Sequence, residues 1–304
     1  MHTSTLPAPR DRITAEIKRR WSSLSPELQR AARFVSANPP EVALRSMREI
    51  ARRADVTPTT LVRLAKTLGY ASFRELSEPI RTAFVTGDGS WLERAQQWQG
   101  AARGGDDVLR TLGAQQAAEA ASVMELNERR EFQACARRLL ASRLVGCFGS
   151  RSSHAVAHQF SYAYNLIRGN GILLSDAAGT LLDQIEMFST ADTLVLVSQS
   201  PYVRRTIELA ALARERHIPV IALTDSELSP LASQATHSLV FRADSISYFH
   251  TLVGAMSVAE TLLANVAILG GKAVIRRVAR VQSRLNAESV YWSKLRAART
   301  RRKK

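Results

Sequence analysis

The stretch Ser46-Met47-Arg48-Glu49-Ile50-Ala51-Arg52-Arg53-Ala54-Asp55-Val56-Thr57-Pro58-Thr59-Thr60-Leu61-Val62-Arg63-Leu64-Ala65-Lys66-Thr67-Leu68-Gly69 reads as two short helices joined by a tight turn. Ser46 is a good N-cap, Glu49 completes a capping box, and Met47, Ile50 and Ala51 share one face. Ala54-Asp55-Val56 makes the connection. Thr57 caps the second helix, Pro58 fits its first turn, Leu61, Leu64, Ala65 and Leu68 face inward, and Gly69 ends it. Two helices so closely joined form a helix-turn-helix. Thr59, Thr60 and Arg63 are left outward near the N-terminus with Lys66 one turn on, at the end of a recognition helix that meets base edges. Arg63 suits a bidentate contact to guanine, and the threonines suit thymine methyls or phosphates. Ser46, Arg48, Arg52 and Arg53, the cap Thr57, and Ser72 and Arg74 beyond the second helix are placed to hold the DNA backbone. Any amphipathic helix pair also carries outward Thr, Lys and Arg, so the hairpin by itself leaves both readings standing.

Helical spacing extends over residues 13–84. Pro26 opens a helix after Ser25 that runs through Leu28, Ala31, Ala32 and Val35 until Asn38-Pro39-Pro40 stops it. Charge is divided unevenly: residues 1–90 carry +6, residues 91–269 carry −2 and residues 270–304 carry +11 of the net +15. A polyanion such as double-stranded DNA fits that split, as does a soluble enzyme with a solvated basic tail. The 304 residues are enough for two domains with cores of their own. With 45% hydrophobic and 23% charged residues, a chain disordered throughout is excluded. Two cysteines, Cys135 and Cys147, fit a reducing compartment. Asp11, Glu16, Lys18 and Arg19 interrupt any signal-peptide core, so a cytoplasmic location is expected. The apolar residues 251–269 include Glu260 and Asn265, which suits a buried helix and no membrane span.

From Leu144 the texture changes. Short apolar runs at 144–148, 171–174, 193–197, 219–223 and 237–241 alternate with helical periodicity after each of the first four. This is the pattern of βα units around a parallel five-stranded sheet covered on both faces. Such sheets bind ligands at the carboxyl ends of their strands, which points to the loops 149–154, 175–180, 198–206 and 224–229. Ser150, Ser152 and Ser153 follow the first strand, Ser198 and Ser200 follow the third, and Thr206 lies in the next helix start. Hydroxyls and helix-start N–H groups converge on an anion in such places, although a single such loop is more often a cap. After residue 241 the spacing predicts a long helix to about Leu269, a break at Gly270-Gly271, a basic helix to about Arg296 and a frayed tail.

The run Leu24-Ser25-Pro26, Asn38-Pro39, Ser46 to Ala51, Val56 to Leu64 and Leu68-Gly69-Tyr70-Ala71-Ser72-Phe73 resembles the DNA-binding domain of the RpiR (MurR/RpiR) family of bacterial transcriptional regulators. The residues after Leu144 resemble the sugar isomerase (SIS) domain that this family places after it. The resemblance implies an α-helical N-terminal domain, a Rossmann-like α/β domain, a sugar-phosphate effector and a homodimer or homotetramer. It also implies that Gly149, Ser152 and Ser153 match the family's first loop, with Ser153 as the matching hydroxyl, and that Ser198 and Ser200 match its Ser-x-Ser-Gly-x-Thr second loop. Arg151 and Pro201 stand where glycines are usual, and Val203 where a hydroxyl is. Arg151 and Arg204, with Tyr202, can replace them as anion binders. Equally, Arg151 can fold back as a structural ion pair. A sugar acid is as compatible as a sugar phosphate.

The expected division is a helix-turn-helix domain over 1–85, a connector over 86–126, an SIS-like domain over 127–270 and a basic helix and tail over 271–304. No cofactor or metal is required. Glu186, His250 and Glu260 are the candidate bases for an isomerase, the rival reading; each also suits a purely structural place. His154 and His158 have metal-ligand spacing but no third partner. Cys147 reads as a core thiol. An architectural DNA binder is a third possibility, disfavoured by the strand-end loops.

Overall fold

The computed structural model describes residues 9–86, 91, 94–96, 99, 106–227, 229–243, 245 and 247–292. Its first unit is all helical: α1 (Pro9–Arg20), α2 (Pro26–Ala37), α3 (Pro39–Leu44), α4 (Met47–Arg53), α5 (Pro58–Thr67) and α6 (Phe73–Thr86). They enclose one apolar core that includes Ile13, Val35, Ile50, Leu61, Leu64 and Leu76. Ser25 caps α2, which ends before Pro39 as expected. Pro39 and Pro40 then open α3, because a first turn has no use for the N–H that proline lacks.

The helix-turn-helix closes as its residues dictate. Ser46 and Glu49 make both bonds of the capping box. Asp55 takes the left-handed conformation at φ 51°, and the Val56 N–H donates to the Ala51 carbonyl at 2.9 Å, which ends α4 in a Schellman turn. Gly69, at φ 93°, ends α5 in the same way through Tyr70 N–H to Ala65.

The second unit contains α7 (Asp106–Ala121), α8 (Val123–Leu126), α9 (Arg129–Ala141), α10 (Ser153–Ile167), α11 (Arg204–Glu215) and α12 (Val253–Glu288). Its strands are β1 (Val145–Gly149), β2 (Gly171–Leu173), β3 (Thr193–Ser198), β4 (Val220–Thr224) and β5 (His237–Val240). They pair in parallel in the order β2-β1-β3-β4-β5. Successive residues feed opposite cores: Cys147 joins the one with α9, α10 and α12, and Phe148 the one with α11. This is why the central strands are apolar throughout.

Three expectations are corrected, and the 86–126 connector is filled in. The 86–126 stretch carries α7 and α8, and α7 packs on α12. The segments after β2 and β4 form short 3₁₀ turns, Asp183–Met187 and Ala232–Gln234, in place of α-helices. Side chains there take backbone partners a helix would need: Gln184 donates to the Ser175 carbonyl, and Ser229 accepts from Ala232 N–H. The long helix begins only at Val253, after an irregular stretch that follows β5. It folds back tightly, since a Cβ on Gly254 would stand 2.4 Å from the Arg242 carbonyl. Finally, α12 ends at Glu288, where Ser289 turns left-handed, and residues 293–304 lie outside the described residues. The expected break is present, with Gly271 at φ 52°, ψ −138°. By length and composition α12 could cross a bilayer; its Ala255, Val258, Ala259, Leu262 and Val266 face the core.

Candidate functional site

On α5 the inner face, Leu61, Leu64 and Ala65, is fully buried. Thr59, Arg63 and Lys66 form the outer stripe at helical spacing and are exposed. Arg48, Arg52, Arg63 and Lys66 make no ion pair among the described residues. Two expected DNA contacts are corrected. Thr60 is 3% exposed, with its hydroxyl 2.9 Å from that of Thr57, so it serves the cap. Arg53 is held at 2.6 Å by Glu41, which also pairs with Arg45. Ser46, Thr57 and Ser72 use their hydroxyls as helix caps, while Arg74 is exposed beside them.

The second site lies where the strand order reverses, between β1 and β3, the place at which sheets of this order bind ligands. Gly149 ends β1 with no room for a side chain: a Cβ would stand 2.4 Å from the backbone oxygen of Ser153. That close approach turns the chain into α10 and brings Ser150, Arg151, Ser152 and Ser153 to a cleft. Arg151 keeps a glycine-like φ of 53°, a conformation that costs an L-residue roughly 1–2 kcal/mol. It makes no ion pair among the described residues; its guanidinium lies over the Trp91 ring, 5.5 Å from the centroid.

The second loop contributes Gln199, Pro201 and Val203 to the cleft. Ser198, Ser200, Tyr202, Arg204 and Thr206 do not line it, which corrects the expected set. Ser198 and Thr206 are buried, and Arg204 points to solvent at the start of α11. Ser200 N–H and the Tyr202 hydroxyl both donate to Asp225, at 3.0 and 2.8 Å. Burial pushes the Asp225 carboxyl up against the pull of those bonds, and burial next to Asp225 pushes the Tyr202 phenol up. Asp225 thus anchors the second loop from beneath.

Phe249 and His250, from the stretch before α12, complete the wall. Their rings are 4.0 Å apart, and Trp91 meets Phe249 edge-on at 5.2 Å. His250 Nε2 is 2.7 Å from the Ser152 hydroxyl. Its Nδ1 and the Gln199 Oε1 are buried and unpartnered among the described residues. Sequence reasoning missed Trp91, Gln199, Phe249 and Asp225. Gln199 and Asp225 had a signal available, since each lies in a strand-end loop that the sequence singles out, 198–206 and 224–229.

Burial, and then the nearby charge of Arg94, lower the His250 pKa to about 4. Between that value and the usual 6.5 the folded chain binds fewer protons than the unfolded one, so the stability from a neutral His250 is present above pH 6.5 and lost as pH falls. Between pH 7 and 5 the wild type should lose about 1 kcal/mol more than His250→Gln, after discounting for partial exposure. Urea unfolding at the two pH values checks this, and equal losses refute it.

Of the candidate bases, only His250 is at the cleft. Glu186 pairs with Arg216 at 2.5 Å on the surface, and Glu260 is exposed on α12. Burial pushes the Cys135 and Cys147 thiols up to about 12. His154 and His158 stand on the exposed side of α10, with rings 6.2 Å apart. Among the described residues, Glu131, Cys135 and His237 are close enough to share a metal ion. They sit at the start of β5, at the opposite end of the sheet from the cleft, and Glu131 and His237 already pair at 2.8 Å.

The geometry defines a helix-turn-helix unit followed by a parallel α/β unit with a cleft at its switch point, and the SIS domain model matches residues 140–269. An uncharacterized HTH-type transcriptional regulator of Haemophilus influenzae is 26% identical, over 72% of this chain and 76% of its own length. The HTH-type transcriptional regulator HexR of Pseudomonas aeruginosa is 24% identical, over 74% and 76%. Among solved structures, the Vibrio vulnificus NanR protein, complexed with ManNAc-6P, matches 90% of this chain and 98% of its own at TM-score 0.57 and 20% identity. The sugar isomerase domain of the RpiR transcription factor from Sphaerobacter thermophilus matches 59% and 99% at TM-score 0.56 and 24% identity. Along its length the chain is similar to HTH-type transcriptional regulators, and its helix-turn-helix unit is followed by an SIS domain.

Proposed function

We propose that the protein binds an operator in duplex DNA through α5 and responds to a sugar phosphate or sugar acid held at the β1–β3 cleft, without catalysing its turnover. The observation that carries this reading is the capped, inwardly buried α5 with Thr59, Arg63 and Lys66 exposed along one face. The cleft supports a sensing role: among the described residues its lining holds the cation Arg151 and no carboxylate. His250 is the one residue that favours an isomerase; its low pKa makes it a weak base. We place Ser150, Ser152 and Ser153 around the effector. Two copies paired through α12, where Ile268 and Ile275 are 75% and 68% exposed, would present two α5 helices to a two-fold operator. A cytoplasmic location follows from the DNA partner.

The test titrates the full chain with the duplex upstream of its own gene, by fluorescence anisotropy across a salt series, with and without sugar phosphates and sugar acids. The expected result is sequence-selective binding that weakens steeply with salt and shifts with one class of compound. Unselective binding, or turnover of an aldose phosphate without DNA binding, overturns the reading.

A further inference from the structure

Three features of the cleft are unexplained by a loop that simply grips a phosphate. The second loop presents Pro201, which has no N–H, and Val203, which has no hydroxyl, while its Ser200 N–H is committed to Asp225. The first loop retains a left-handed backbone at residue 151 although an arginine stands there. That arginine, the one cation among the described residues that line the cleft, rests on Trp91, which lies before the SIS domain in the chain.

We infer that Trp91 is part of the effector site and that Arg151 leaves the Trp91 ring to pair with the ligand's anionic group. The second loop supplies little to a phosphate, and the Arg151 guanidinium, which lines the cleft, offers a fork that suits an anion. A guanidinium stacked on a half-exposed indole is held by only a weak interaction, so a phosphate or carboxylate competes for it successfully. The buried acceptor Gln199 Oε1 needs a donor, which a ligand hydroxyl provides. Trp91, Phe249, Pro201 and Val203 offer an apolar wall to the carbon face of such a ligand. The ligand class is therefore a hydroxylated anion, and the charge is read at Arg151. Release of the indole changes the packing of a residue that lies in the chain between α6 and the SIS domain, which supplies a route from occupancy to the DNA-binding unit. This inference rests on the regulator reading for its consequence, but not for its chemistry.

The experiment uses the full chain and four probes: inorganic phosphate, glucose 6-phosphate, gluconate and 6-phosphogluconate. Calorimetry gives Kd, and the intrinsic fluorescence of wild type against Trp91→Phe isolates Trp91 from the other three tryptophans. At least one hydroxylated probe should bind the wild type and change its emission, with that change absent in Trp91→Phe. Phosphate-only and carboxylate-only probes distinguish which anion Arg151 takes. Arg151→Gly should weaken that probe at least 10-fold while keeping Tm within about 2 °C, because relief of the left-handed backbone offsets the lost stacking. Three results overturn the inference: no probe binds, Arg151→Gly binds within 3-fold of wild type, or the emission change persists in Trp91→Phe. Failure of DNA binding would instead refute the regulator reading and leave this assignment intact.

Discussion

Arg63→Ala should weaken operator binding by about 10- to 100-fold and relax base preference at one position in each half-site. A bidentate arginine–guanine contact contributes roughly 1–3 kcal/mol of discrimination against a wrong base. Arg63 is exposed on α5, one turn beyond Thr59 and one before Lys66, and no carboxylate among the described residues competes for it. Lys66→Ala should act differently, lowering affinity about evenly across sequences and reducing the salt slope by about one. Thr60→Val is the internal control: its hydroxyl belongs to the Thr57 cap, so stability should fall while base preference remains. The check is anisotropy with an operator and its single-base variants. An Arg63→Ala protein with unchanged affinity and preference removes Arg63 from the reading surface, and altered preference in Thr60→Val would put Thr60 back on it.

The contrast between Thr60 and Arg63 shows how far local pattern carries. Caps, turn residues and apolar spacing act within one or two turns, so Ser46, Glu49, Thr57 and Gly69 announced the helix-turn-helix and its boundaries. The sheet was legible for a related reason: strands buried on both faces must be apolar throughout, and all five lie within a residue or two of the expected positions. Thr60 deceived because its place in the first turn permits either an outward pose or a bond to the cap, and the packing of α5 on α2, α4 and α6 decides. The cleft was half legible. Its first loop is set by a local requirement at Gly149. Gln199, Pro201 and Val203 come from the strand-end loop 198–206, but the remaining wall, Trp91, Phe249 and His250, is far away in sequence and brought in by chain paths that carry no short-range signal. The second loop misled because the Ser200 backbone N–H and the Tyr202 hydroxyl are both held by Asp225, a residue that follows β4.

The loop after β1 leads to the second large effect. Gly149→Ala places a methyl group 2.4 Å from the Ser153 backbone oxygen, 2.7 Å from its carbonyl carbon and 3.1 Å from its Cβ. Two of these three atoms are backbone in the first turn of α10, so no rotamer change relieves the contact, and the start of α10 must move away from β1. Overpacking of this kind costs about 1–3 kcal/mol. At about 2 kcal/mol, a unit of this size should lose roughly 4–8 °C in Tm. The displaced residues are Ser150, Ser152 and Ser153, so effector response should disappear with the loss of stability. The α1–α6 unit has its own core, and basal operator binding should therefore survive at temperatures where the variant stays folded. Thermal unfolding together with operator titration, with and without the active probe, separates these effects. A Gly149→Ala protein that keeps both its Tm and its effector response would show that the chain does not need the close approach of β1 and α10, and the cleft would then have to be sought away from the first loop.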